Sequence, residues 1–217
     1  MIQTNDVHIR RTRQAAVAFI VAAAATAVAG AVLYLGLQPI TDLSDDMWRY
    51  PWESSGAFVA FSIFSALLHG LVILGLRAFG RSGAAGGSRS AANGVALAVT
   101  GTALLLVGEL LSIPIRNAET SDTSATIVGA VFALGGITST VGFLVLGRAT
   151  LRAGVWQGWR RFTPLATGLW LGAMTFLPPT LLHGMVGVYG LCLLGMAIAL
   201  YTQPAPVSAA GNAQLAV

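Results

Sequence analysis

Residues 164–201 read Pro164-Leu165-Ala166-Thr167-Gly168-Leu169-Trp170-Leu171-Gly172-Ala173-Met174-Thr175-Phe176-Leu177-Pro178-Pro179-Thr180-Leu181-Leu182-His183-Gly184-Met185-Val186-Gly187-Val188-Tyr189-Gly190-Leu191-Cys192-Leu193-Leu194-Gly195-Met196-Ala197-Ile198-Ala199-Leu200-Tyr201, without one Asp, Glu, Lys or Arg. About 20 apolar residues cross the roughly 30 Å of bilayer hydrocarbon, so this run is too long for one span. Pro178 and Pro179 divide it, because proline has no N–H to continue a helix and clashes with the preceding turn. The expected result is one helix before the prolines and another from about Leu182 onward.

The same reading extends backward along the chain. Further spans are expected from about Ala15 to Gln38, Ala57 to Phe79, Gly94 to Ile115 and Ala125 to Leu146. The fold class is therefore all-α: a polytopic membrane protein of six transmembrane helices. An N-terminal segment, 1–14, precedes the membrane domain, 15–202, and a disordered tail, 203–217, follows it. Composition agrees, since the 217 residues are 55% apolar and only 9% charged, against about 25% charged in soluble domains. The first apolar run reads as a span, because it is long and ends in Leu37-Gln38-Pro39 rather than in a small-residue cleavage site.

Arginine sets the orientation. Arg10, Arg11 and Arg13 precede the first span, Arg77, Arg81 and Arg89 flank the second connection, and Arg148, Arg152, Arg160 and Arg161 flank the fourth. The alternate connections hold only Arg49 and Arg116. By the positive-inside rule both termini are cytoplasmic. Trp48, Tyr50 and Trp52 would then sit at the outer headgroups, and Trp156 and Trp159 at the inner ones. The stretch Arg81-Ser82-Gly83-Ala84-Ala85-Gly86-Gly87-Ser88 reads as a flexible linker.

Composition also excludes several chemistries. The chain has no lysine, so it can form neither a retinal Schiff base nor a Walker-type phosphate loop. Its single cysteine, Cys192, rules out an internal disulfide and a thiol redox pair. The arginines form no single patch, so nucleic acid is not expected as a partner. No cofactor and no metal site are expected. His69 and His183 share the context Leu-Leu-His-Gly, but their depths differ by about 15 Å at 1.5 Å per residue, too far for one haem iron.

The outward-going spans end near proline, at Pro39, Pro114 and Pro178, and the first two return spans end in Leu71-Val72-Ile73-Leu74-Gly75 and Phe143-Leu144-Val145-Leu146-Gly147. Three hairpin repeats are one reading of this pattern. Convergence among apolar helices is the other.

Ionisable side chains at membrane depth are costly, which makes Glu109 and His69 the candidate functional residues. Thr102, Glu109, Ser112 and Arg116 fall near one helical face, and Ser62, Ser65 and His69 near another. Counting depth puts Ser65 level with Glu109. The candidate ligand-binding set is therefore Glu109, His69, Ser65, Ser112 and Arg116. Each also has a purely structural reading, as a satisfied helix-to-helix hydrogen bond. Gly135-Gly136 and Thr138-Ser139-Thr140 read as packing residues, and Ala22 to Ala29 as packing or a docking surface for another membrane subunit.

The stretch Gly158-Trp159-Arg160-Arg161-Phe162-Thr163-Pro164-Leu165, leading into Gly168-Leu169-Trp170, resembles small six-helix integral membrane proteins common in actinobacteria. Gly108-Glu109-Leu110-Leu111-Ser112-Ile113-Pro114 does so too. The resemblance implies a bacterial plasma membrane and six helices, and transfers no catalytic residue. In size and helix number the chain also resembles the substrate-binding subunits of energy-coupling-factor vitamin transporters, without their ligand motifs.

Three functions fit these residues. The first is binding or transport of a small lipophilic or cationic ligand through an outward-facing cavity around Glu109. The second is a membrane-embedded enzyme acting on a lipid or isoprenoid, with Glu109 as general acid and Tyr34, Trp170 or Tyr189 lining a hydrocarbon pocket. The third is a non-catalytic accessory subunit. The expected partners are the lipid bilayer, such a ligand, and another membrane protein.

Overall fold

The computed structural model describes residues 2–203. Six α-helices follow one another: α1 (Ile2–Val32), α2 (Ser55–Arg81), α3 (Arg89–Ser112), α4 (Thr123–Ala153), α5 (Thr163–Met174) and α6 (Leu182–Tyr201). Among the described residues there is no strand, only an isolated bridge between Met47 and Glu119. A π-helical turn, Leu33–Leu37, carries α1 onward. The 5-residue 3-10 turn Gly158–Phe162 leads into α5, and a second, Pro179–Leu181, leads into α6.

Local chemistry sets the ends. Ser54 caps α2 by accepting from the Ala57 N–H at 3.3 Å, and Ser88 caps α3 by accepting from the Ala91 N–H at 3.1 Å. Gly154, at φ 64°, supplies the left-handed turn that closes α4. The expected third span reached Ile115, but α3 stops at Ser112, two residues short of Pro114. The N-terminal segment, 1–14, is helical from Ile2 onward and continuous with α1. The tail from residue 204 lies outside the described residues.

Five helical stretches are long and apolar enough to cross a membrane: Arg10–Leu37, α2, α3, α4 and α6. This is one fewer than the six expected, because α5 has only 12 residues. Pro164 occupies its first turn, and it unwinds at Thr175, three residues before Pro178. Large apolar side chains point away from the bundle, among them Leu67, Ile127, Ile137, Leu169 and Leu191. So much exposed apolar surface suits lipid as the surrounding medium.

Each helix packs on its neighbours in sequence, and α6 closes the ring by packing on α1. The closest approaches run through glycine. On α3, Gly94, Gly101 and Gly108 recur every seven residues and face Leu146, Ser139 and Phe132 of α4. Those three also recur every seven, in the opposite direction. Between them Gly142 meets the Ala98 backbone, and Gly135 meets Leu104 and Leu105. The seam therefore interlocks from both sides. Similar contacts join α1 to α6 at Gly30–Gly187 and Ala27–Gly190, and α4 to α5 at Gly147–Leu165. Small residues permit such approach, and dispersion is what holds helices together in lipid.

The sequence-adjacent hairpins are not packed alike. Within α3–α4 the backbones touch, whereas the main partner of α1 is α6 rather than α2.

Side chains lock both ends of the ring. At one end the Arg13 guanidinium lies 4.9 Å from the Tyr201 ring centroid. Trp156 packs edge-on against Phe79 at 5.1 Å, and its Nε1–H donates to Gln203 Oε1 at 3.2 Å. Gln203 Nε2 in turn donates to the Ser82 carbonyl at 3.0 Å. Trp156 is 2% exposed, so it is an internal lock and not a headgroup anchor, while Trp159 is exposed as expected. Ala84 and Ala85 are buried as well. The 83–88 loop is thus packed, with Gly83 and Gly86 at positive φ making its turns, and does not act as a linker.

An added methyl at Gly101 would collide with the Ser139 backbone, whereas one at Gly136 meets nothing within 4 Å. Gly101→Ala should destabilise the protein by about 1–3 kcal/mol through overpacking. Gly136→Ala should be neutral, or stabilise by up to about 1 kcal/mol. Thermal unfolding in detergent checks the pair.

Candidate functional site

The glycine seam determines where Glu109 points. Val95, Thr102 and Glu109 each follow a seam glycine by one residue, which rotates them about 100° around α3. Val95 packs against Gly80 of α2, so this stripe turns toward α2 and the interior of the ring. Thr102 is fully buried, and Ser112, on the adjoining line, is 3% exposed. Glu109 lies between them and is half-buried. Among the described residues its carboxylate makes no hydrogen bond and no ion pair.

The other candidates mostly satisfy themselves locally. His69 Nδ1–H donates to the Ser65 carbonyl one turn back, at 2.9 Å, which leaves Nε2 as its unengaged ring nitrogen. Ser112 Oγ donates to the Gly108 carbonyl at 2.9 Å, and Thr102 Oγ1 to the Ala98 carbonyl at 2.8 Å. Arg116 folds back on its own turn, donating to the Ile113 carbonyl at 3.0 Å, and does not pair with Glu109. Of the five predicted residues, only His69 and Ser65 are joined by a hydrogen bond.

Register supports the depth reading for neighbouring helices. With Val95 opposite Gly80 in an antiparallel pair, Glu109 falls level with residue 66, next to Ser65. His69 lies about one turn, roughly 5 Å, deeper. Among the described residues, the hydroxyls of Ser62, Ser139, Thr140 and Tyr189 are buried without a partner. Polar capacity inside the ring therefore exceeds what the sequence reading assigned to Glu109 and His69. Their sequence signal is a hydroxyl on an otherwise apolar helix, a signal too common to single them out.

The end of the bundle near Glu109 is roofed. The 38–54 loop pairs with the α3–α4 loop, Trp48 N–H to Ala118 O at 3.0 Å and Thr120 N–H to Asp46 O at 2.7 Å. Its aromatic residues reach three different helices. Trp52 stacks on Phe61 of α2 at 5.0 Å, Trp48 lies 6.5 Å from Phe132 of α4, and Tyr50 lies 6.5 Å from His183 of α6. Arg49 Nη1 binds Ser55 Oγ at 2.7 Å and Asn117 Oδ1 at 2.9 Å. Gln38 ties the end of α1 to the Thr180 carbonyl at 2.8 Å and faces His183 Nδ1 at 3.4 Å. Tyr50, Arg49 and Gln38 are not among the candidate residues read from the sequence, because these contacts join residues distant in sequence. Access to Glu109 from this end passes the roof.

Two grooves lie elsewhere on the bundle, and Glu109 and His69 line neither. One, of about 610 Å³, is almost wholly apolar and lies between α1, α5 and α6, with Tyr34 and Trp170 on its walls as expected for a hydrocarbon pocket. Tyr189 is not among its lining residues. The other, of about 530 Å³, lies between the opposite ends of α2 and α3. Among the described residues no group of three or more His, Cys, Asp and Glu is placed to hold a metal. No protein-family model, curated protein or solved structure matches the chain.

Because Glu109 has no partner among the described residues, it contributes nothing visible to stability. Glu109→Gln should leave the melting temperature in detergent unchanged, since the amide keeps the side chain's shape and removes no visible hydrogen bond. A clear fall would reveal a structural bond to the carboxylate.

Proposed function

We propose that this is a six-pass protein of a bacterial plasma membrane, with both termini cytoplasmic, which binds or transports a small ligand at Glu109. One feature supports six passes. Arg13 and Tyr201 lie together at one end of the bundle and Gln38 and Thr180 at the other, which fits an even number of passes. The fifth pass is the shortest, since the twelve residues of α5 give about 18 Å at 1.5 Å each, with Arg160 and Arg161 of the preceding 3-10 turn left at the inner headgroups. The arginines, Arg49 and Arg116 apart, cluster at the Arg13 end and the acids, Glu109 and Asp6 apart, at the Gln38 end, which supports the cytoplasmic assignment.

The observation that carries the ligand reading is the unpartnered, inward-facing carboxyl of Glu109 beneath an aromatic roof. An isolated acid costs energy in this setting, and a cationic or hydrogen-bond-donating ligand would recover it. The reading as a lipid-modifying enzyme is weaker, because Glu109 and the apolar groove are on different helices. A general acid must come within hydrogen-bond reach of the atom it protonates.

Two experiments test these points. Reporter fusions at Gly86, Gln157 and Gln203 should all report the cytoplasm, and fusions at Asp45 and Pro178 the opposite side. A cytoplasmic signal at Pro178 would rule out α5 as a pass. For the ligand, purified protein screened by thermal shift against small organic cations should be stabilised by at least one of them. Glu109→Gln should abolish that response, and an equal response in the variant would exclude Glu109 as the anchor.

A further inference from the structure

The groove between the inner ends of α2 and α3 has two unlike walls. Arg77 and Arg81, four residues apart on one face of α2, line it together with Gly80, the 85–88 loop and Val95 of α3. Both arginines are exposed, and among the described residues neither makes an ion pair. Arg81 Nε donates to the Arg77 carbonyl at 3.2 Å, which fixes its stem and leaves the end of its guanidinium open. Like charges four apart on a helix repel. No acid is near in sequence to relieve them, since the chain has none between Glu53 and Glu109.

The loop side adds to the positive field. Ser88 takes the Ala91 N–H, while the N–H groups of Arg89 and Ser90 have no partner among the described residues. The first turn of α3 carries no acid and begins with Arg89, where the helix dipole favours a negative charge. Away from this mouth the groove becomes apolar, along Ala91, Ala92 and Val95. Gly80 and Val95 touch and form the floor of the groove, and the apolar channel runs over them beside Ala91 and Ala92.

We infer that this groove binds one anionic phospholipid, its phosphate between Arg77, Arg81 and the start of α3, and an acyl chain along the Gly80–Val95 strip. Charge complementarity selects an anion, and the apolar continuation into membrane depth selects one that carries a hydrocarbon chain. Basic pockets between helices at a membrane surface suit this chemistry. The inference depends on the chain lying in a bilayer and is independent of any ligand at Glu109.

Native mass spectrometry of the full chain, with phosphatidylglycerol, phosphatidylcholine or inorganic phosphate added, tests it. One phosphatidylglycerol should be retained in preference to phosphatidylcholine, and inorganic phosphate should not displace it at equal concentration. The double variant Arg77→Gln/Arg81→Gln should weaken retention about tenfold. Arg148→Gln/Arg152→Gln, at the same end of the bundle, should leave it unchanged. Ala92→Phe, which fills the groove and keeps both arginines, should also weaken it, and so tests the site without altering charge. Equal retention in the Arg77/Arg81 variant or in Ala92→Phe would overturn the inference. So would equal losses from both arginine pairs, which would mean a diffuse basic surface, or displacement by inorganic phosphate, which would mean a simple anion site.

Discussion

Backbone-to-backbone contact at glycine is the interaction on which this structure depends. In hydrocarbon no hydrophobic drive pulls one apolar helix to another, so association rests on close dispersion contact. Helices can approach that closely only where a side chain is missing. Gly94, Gly101 and Gly108 supply such places on α3, and Gly135 and Gly142 answer them from α4. Gly30, Gly187 and Gly190 do the same where α6 closes on α1. A protein with this few charged residues has little else with which to hold its helices in register.

The placement of Glu109 follows from that packing. Once the glycines at 94, 101 and 108 face α4, the residues after them must turn toward α2 and the interior, and Glu109 is one of these. An acid at 108 or 110 would meet α4 or lipid instead. The roof formed by Trp48, Tyr50 and Trp52 spreads over three helices, and so depends on the same ring being closed beneath it. The inner groove is a product of the packing as well, because Gly80 lets Val95 pack against α2 and the two form its floor.

Much of this was legible from pattern alone. Apolar runs located α2, α3, α4 and α6, and the break at Pro178-Pro179 was read correctly, with α6 beginning at Leu182. The ends were less exact, because the reading counted hydrocarbon depth while the helices continue outward to caps at Ser54 and Ser88. The 83–88 loop was misread, since its composition is that of a linker and nothing local shows that Ala84 and Ala85 are buried. Trp156 was misplaced for a related reason. Tryptophan near arginine commonly marks an interface, and only the fold brings Phe79 and Gln203 to it. Of the glycine pair in α4, Gly135 packs and Gly136 does not, a difference of phase that needs the partner helix to resolve. Glu109 stands out in the sequence because a carboxylate in an apolar run is conspicuous. Its lack of a bond to Arg116 does not, because shared face and spacing do not guarantee contact.

The central claim is that these helices form one closed ring in which α6 returns to α1, bringing the start of the first span and the end of the last to the same end of the bundle. Cysteines placed at Arg13 and Tyr201 in a Cys192→Ser background, treated in native membranes with a short bis-maleimide, test it most directly. The account predicts efficient cross-linking within a single chain, seen as a mobility shift that depends on both cysteines. Cross-links only between chains, or none while Gln38 and Thr180 cysteines also fail to join, would contradict it.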